Sequence, residues 1–285
     1  MARIAAGRSG FDPFTLAQIS APQAPARHNG AVRLARIKRT WFSLRMTSIT
    51  RIPALDLART AAIAGMVAFH FCFDLQLFRY LPPGTTTTGF FWYHARIVAG
   101  SFLFLSGVSL WLAHGAGIRW VAFGRRWGMV AGAAVLVSVS SHWTTPQAPI
   151  HFGILHCMAL TSLVALAFLR LSAAITLMVA VLVFFLPALA ASPVFNTLPL
   201  VWTGLATERP LMADYVPLFP WLAPVLAGVA FAKVADGAGL WARLRHVPGR
   251  LERALSWPGQ HSLAIYLLHQ PLLIGGFLAV RWLHA

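Results

Sequence analysis

The stretch LDLARTAAIAGMVAFHFCFDL, residues 55–75, is long and apolar enough to cross a bilayer, yet it carries Asp56, Arg59, His70 and Asp74. An ionisable side chain at the centre of a membrane helix costs roughly 2.5–3.5 kcal/mol or more, so such groups persist where they face other helices or a polar cavity. On a helix, relative to Asp56, Arg59 falls at about 300°, His70 at about 320° and Asp74 at about 0°, so the four share a stripe about 60° wide. Asp56 and Asp74 lie about 27 Å apart along the axis. The stripe therefore has two ends, one at each side of the bilayer, and it must point into a helix bundle.

The rest of the chain fits that setting. It is 58% hydrophobic and 11% charged, with a mean hydropathy of +0.68; a soluble domain carries about 25% charged residues. Runs of about 17–25 apolar residues fall near 54–79, 95–113, 126–142, 151–169, 171–190, 217–235 and 258–282. The expected fold is all-α, a polytopic bundle of about seven transmembrane helices. No internal repeat or heptad pattern stands out.

The net charge of +16 comes from 23 Lys and Arg against 7 Asp and Glu. In a membrane chain this excess holds loops on the cytoplasmic side rather than binding nucleic acid. With the N-terminus inside, the inner connections hold Arg119, Arg125, Arg126, Arg170, Lys233, Arg243, Arg245, Arg250 and Arg253. The outer ones hold Arg79, Arg96 and Arg209. The asymmetry predicts an N-in, C-out topology. Residues 1–45 are basic and have no apolar core segment like that of a cleavable signal. They are expected to form a disordered cytoplasmic tail, ahead of a membrane domain at 46–285 whose first residue, Met46, is an alternative start. Phe90-Phe91-Trp92-Tyr93, Trp143, Trp221 and Trp257 suit the interfacial belts. Cys72 and Cys157 are expected to pack as small hydrophobes.

Asp56 and Arg59, three residues apart, can pair as a structural lock or act at the inner entrance. His70 and Asp74, four apart, have the spacing by which a carboxylate orients an imidazole for general-base work. In GQHSLAIYLLHQPLL, Ser262, Tyr266 and His269 share one helix face, and Pro271 is expected to kink the helix. His94, His151, His156 and Asp214 gather at the outer ends of the predicted spans. HExxH and related zinc motifs are absent, so no metal is expected.

Taken jointly, Arg51, Leu55-Asp56, Arg59 and His70, then HFCFDL, SFLFLSGVSL, FGILH, DYVPLFPW and GQHSLAIYLLHQPLL, resemble the heparan-alpha-glucosaminide N-acetyltransferase catalytic-domain family, in its bacterial branch. A looser likeness extends to the acyltransferase type 3 family. The resemblance covers residues 50–283 or so. It implies an integral membrane enzyme, in a bacterial inner membrane, that passes an acyl group from acetyl-CoA to a glycan or small-molecule amine or hydroxyl at the outer face. It points to Asp56, Arg59, His70, Asp74, His156, Asp214, Ser262, Tyr266 and His269. Two departures stand out: Thr60 replaces the usual glycine after the helix-one arginine, and His94 is the nearest counterpart of the animal members' loop histidine.

The expected roles are these. His70, oriented by Asp74, is the base or acyl carrier, and Tyr266 and His269 are oxyanion donors or a second acid–base pair. Asp56, Arg59, Arg125 and Arg126 serve the CoA end, and His94, His156, Asp214 and Ser262 the acceptor's entrance. Membrane lipids and a second copy of the chain are the remaining expected partners. The rival class is a proton-coupled transporter, which uses similar His/Asp stripes; a non-catalytic scaffold has no need of a two-ended one. The topology has a direct check: a reporter active only in the cytoplasm, fused after Ala285, should be silent, and strong signal there would reverse the side assigned to every histidine.

Overall fold

The structure, a computed structural model, describes residues 52–284. The basic tail 1–45, Met46 and Arg51 lie outside the described residues. Nine α-helices occur among those described: α1 Pro53–Leu77, α2 Gly89–His114, α3 Trp120–Thr144, α4 Ile154–Leu166, α5 Ala173–Ala190, α6 Leu218–Gly237, α7 Leu240–Leu244, α8 Arg250–Gln260 and α9 Ser262–Leu283. No strand is present among the described residues. This is the all-α membrane bundle that the apolar runs predict, because backbone groups in hydrocarbon must find their partners within a helix.

Among the described residues five helices, α1, α2, α5, α6 and α9, are long and apolar enough to cross a membrane. Two further predicted segments differ from their expected bounds. The third is a helix of 25 residues, longer than its expected run of 126–142, because residues 120–125 and 143–144 continue it at either end. The fourth is a helix of only 13 residues; residues beyond Leu166 turn tightly through 3₁₀-type bonds, such as Ala167 N–H to Val164 O. The last predicted segment divides at His261, so Pro258–Gln260 end α8 and α9 begins at Ser262. Helix α9 then runs unbroken through Pro271.

Three of the starts follow from local chemistry. Pro53 occupies the first turn of α1, where its missing N–H costs nothing. Ser172 caps α5 by accepting the Ile175 N–H at 3.2 Å. Pro217 precedes the first residue of α6.

Helix α6 is the most buried of the five spans and packs mainly against α2 and α5. Leu103, Leu222, Val225, Leu226 and Val229 form the centre of the core with the fully buried Cys157; Cys72 is only half-buried. Two glycines allow the α2–α6 crossing. A Cβ on Gly107 would stand 2.0 Å from Val225 O, and one on Gly228 would stand 2.1 Å from Phe104 O. The backbones touch, as small residues permit where lipid supplies no hydrophobic drive. Lys233 of α6 reaches Phe168 O at 2.6 Å and Leu171 O at 2.5 Å, closing the exposed carbonyls after α4. By contrast Phe184, Phe185 and Leu182 of α5 remain exposed to the surroundings of the bundle.

Because the crossing has no slack, Gly107→Ala and Gly228→Ala should each destabilise the protein by about 1–3 kcal/mol. Gly124→Ala, in open space on α3, should not. Thermal unfolding in detergent distinguishes them.

Candidate active site

The polar stripe of α1 faces its neighbours, as its helical spacing requires. At the α1 N-terminal end Arg59 pairs with Asp56 at 2.6 Å and donates to Ser109 Oγ of α2 at 2.6 Å. Gln260 of α8 donates to the other Asp56 oxygen at 3.3 Å. The pair thus ties α1, α2 and α8 together. Thr60, one position on, accepts the Gly259 N–H at 2.9 Å and bonds Leu255 O at 2.8 Å. The departure from glycine therefore supplies a polar clamp to α8. Gly259 provides the room instead, since its Cβ would stand 2.0 Å from Asp56 O.

Near this end, Arg126 lines a pocket with Ser106, His114, Trp127 and Ser162, between α2, α3 and α4. Arg125 joins Arg119 and Trp120 around a shallow surface recess. His114 is buried, and its Nδ1 accepts the Arg119 N–H at 3.2 Å; the sequence reading passed it over.

The other end of the stripe differs from the expectation. Asp74 does not orient His70: its Oδ1 accepts from Gln270 Nε2 of α9 at 2.7 Å, and His70 Nδ1 has no partner. The ion pairs among the described residues are Asp56–Arg59 and His246–Glu252. Spacing of four residues permits contact, but the carboxylate, which is fully buried, takes the amide donor that α9 brings to it.

His70 meets His269 instead, ring centroids 4.8 Å apart and edge to face. His269 Nδ1 lies 2.6 Å from Tyr266 O, an acceptor, so Nδ1 carries the proton. The lone pair of Nε2 is then free, buried and without a partner. Four polar atoms gathered here, His70 Nδ1, Asp74 Oδ2, His269 Nε2 and Gln270 Oε1, are all buried and all unpartnered. Native interiors pair nearly all such atoms, so this cluster calls for a partner, either ordered water or a ligand. Gln270 is the participant the sequence reading left without a role, since an amide gives no charge signal.

The remaining candidates are accounted for locally. Tyr266 directs its hydroxyl at Asp214 Oδ2, 3.5 Å away, rather than at the histidine pair, although its ring lies 5.7 Å from that of His269. Asp214 Oδ2 accepts the Ile154 N–H at 2.9 Å, at the positive end of α4. Burial pushes the Asp214 carboxyl above the usual range, while the Ile154 N–H and the Tyr266 hydroxyl draw it back. Both ring nitrogens of His156 are used: Nδ1 accepts the Gly153 N–H at 3.2 Å at the start of its own helix, and Nε2 meets Ser138 Oγ at 3.1 Å, joining α3 to α4. His94 bonds Gly65 O at 2.9 Å and stacks on Phe69, bracing α2 against α1. Ser262 is displaced from the expected entrance: it opens α9 two residues after Gln260, at the Asp56 end. The chain reverses through α8 just before it, which fixes that placement. Among the described residues no group of His, Cys, Asp or Glu has the arrangement of a metal site.

A family model described as heparan-alpha-glucosaminide N-acetyltransferase, catalytic, matches residues 51–271. The chain belongs to that family. The match includes both ends of the α1 stripe and closes at Pro271, just past the His269–Gln270 pair. With its apolar helices, membership makes this an integral membrane protein of an acetyltransferase family. Searches among curated proteins and among solved structures returned no match.

The Asp214 contact has a measurable consequence. Asp214→Ala leaves the Ile154 N–H buried without its acceptor and should cost about 1–3 kcal/mol of stability. Asp214→Asn retains an oxygen there and should cost less, as thermal unfolding of the two variants will show.

Proposed function

We propose that the protein moves an acetyl group from acetyl-CoA to an amine or hydroxyl of a glycan or small-molecule acceptor, with His70 and His269 at the reacting centre. The observation that supports this is the cluster of four unpartnered buried polar atoms where α1 meets α9. Its chemistry suits acyl transfer. His269 Nε2 takes the proton as the acceptor's nitrogen or oxygen bonds to the thioester carbonyl carbon. His70, in the tautomer protonated at Nδ1, donates to the oxyanion that forms. The C–S bond then breaks, and the proton held on His269 passes to the leaving sulfur as free thiol forms. Asp74 Oδ2 and Gln270 Oε1 accept hydrogen bonds from further N–H or O–H groups of the acceptor.

Base and electrophile thus exchange places relative to the expectation from spacing, because the Tyr266 carbonyl fixes the His269 tautomer and nothing fixes that of His70. Arg126, in the pocket between α2, α3 and α4, and Arg125, at the neighbouring surface recess, would meet the CoA phosphates as cations, with Arg59 held beside them by Asp56 and Ser109. Donor entry from the cytoplasm and acceptor entry from the outer face of a bacterial inner membrane complete the proposal. The enzyme works without a metal, alone or as a homo-oligomer.

Incubation of the purified protein with labelled acetyl-CoA and a panel of amines and sugars tests the reaction; hydrolysis alone, with no acetylated product, would overturn it. His269→Ala should lower turnover per folded molecule by about 10²–10⁴-fold. Asp74→Asn and Gln270→Leu should raise the acceptor KM more than the donor KM. Near-normal turnover in His269→Ala alongside inactive His70→Ala would return the base role to His70.

A further inference from the structure

Among the described residues, helix α8 meets the bundle on one side. Ser256 and Gly259 are buried against α1. About 100° around the helix from them, Leu251, Ala254, Leu255 and Pro258 form an apolar arc. None of the described residues covers that arc: Leu251 is 72% exposed and Leu255 51%. The third side carries Arg250, Arg253 and Trp257, the last 56% exposed. Arg243 and Arg245, just upstream, are exposed as well. The one acid of this stretch, Glu252, pairs with His246 at 2.9 Å, and the four arginines outnumber it.

An exposed leucine arc, a tryptophan and a row of arginines are the three parts of a helix that lies in a bilayer interface. The position fits. Helix α6 ends at Gly237 and α9 begins at Ser262, both spans of sufficient length and apolarity, so the segment between them is held at one bilayer boundary. Trp241 anchors it, buried, with its indole N–H on Ala232 O at 3.0 Å.

We propose that residues 240–260 bind the headgroups of anionic phospholipids, and that the seat of α8 on α1 carries this binding to the Asp56–Arg59 pair. The leucines enter the acyl boundary and the arginines meet phosphate, which charge complementarity favours. The coupling is short. Thr60 bonds α8 at Gly259 and Leu255, the Gly259 backbone rests on Asp56 O, and Gln260 holds the Asp56 carboxylate. Movement of α8 therefore displaces Asp56 directly. This inference stands independently of the acyl-transfer chemistry, and its test needs no turnover.

The full chain is reconstituted in nanodiscs of phosphatidylcholine alone, or with about 30 mol% phosphatidylglycerol as the anionic lipid, and amide hydrogen exchange is followed. Anionic discs should slow exchange about tenfold over residues 240–260 and 53–60, and about 0.5 M salt should reverse this. The variant R243Q/R245Q/R250Q/R253Q should lose the effect, and the matching all-lysine variant should keep it. Should the glutamine variant not insert, the salt response and the lysine variant carry the same test. Equal exchange in the two disc types overturns the headgroup site, and slowing retained by the glutamine variant overturns the role of the arginines. Slowing confined to 240–260 overturns the coupling. Equal slowing in phosphatidylcholine discs on adding glycerol phosphate would show a soluble-anion site in place of a lipid one.

Discussion

Ionisable groups on a helix in hydrocarbon must find partners on other helices, and α1 organises the bundle through that demand. Asp56 and Arg59 draw in Ser109 of α2 and Gln260 of α8, and Asp74 draws in Gln270 of α9. A helix with an apolar surface throughout could rotate or slide against its neighbours at little cost. This one cannot, because rotation would present buried carboxylates to lipid. The two ends of the stripe therefore fix both the rotation of α1 and the depth of α9 beside it.

Close backbone contact does the rest of the positioning. Gly107 and Gly228 bring α2 and α6 together, and Gly259 seats α8 on α1. These contacts form a frame of short distances in which side chains have little freedom. His269 sits in that frame with its Nδ1 proton committed to the carbonyl one turn back. A ring held in this way keeps one nitrogen available in one direction, a condition for repeated proton transfer at a single point.

The two ends of α1 also differ in kind. At the Asp56 end Asp56, Arg59, Thr60 and Gln260 satisfy one another and serve as joints, with Ser256 Oγ alone left open beside them. At the Asp74 end the polar groups are buried and left open. Burial without pairing is a standing cost to folding, and it is relieved when ordered water or a ligand supplies the missing donors and acceptors. The contrast separates a joint from a site better than residue type does, since aspartate occurs at both.

The sequence by itself determined the membrane class, the helical content, the inward face of α1 and the family likeness carried by HFCFDL and GQHSLAIYLLHQPLL. These follow from hydrophobic period and run length, which act within a single segment. It also showed Asp56 and Arg59 at pairing distance, and they pair. Tertiary structure alone decided that Asp74 bonds Gln270, 196 positions away, rather than His70 on its own helix. It likewise decided that His70 meets His269, that His94 and His156 are bound up in helix contacts, and that Ser262 lies at the Asp56 end. Spacing along one helix states which groups can meet. Which of them do depends on the competing donors that neighbouring helices bring, and a buried carboxylate takes the donor whose geometry the whole bundle has already fixed.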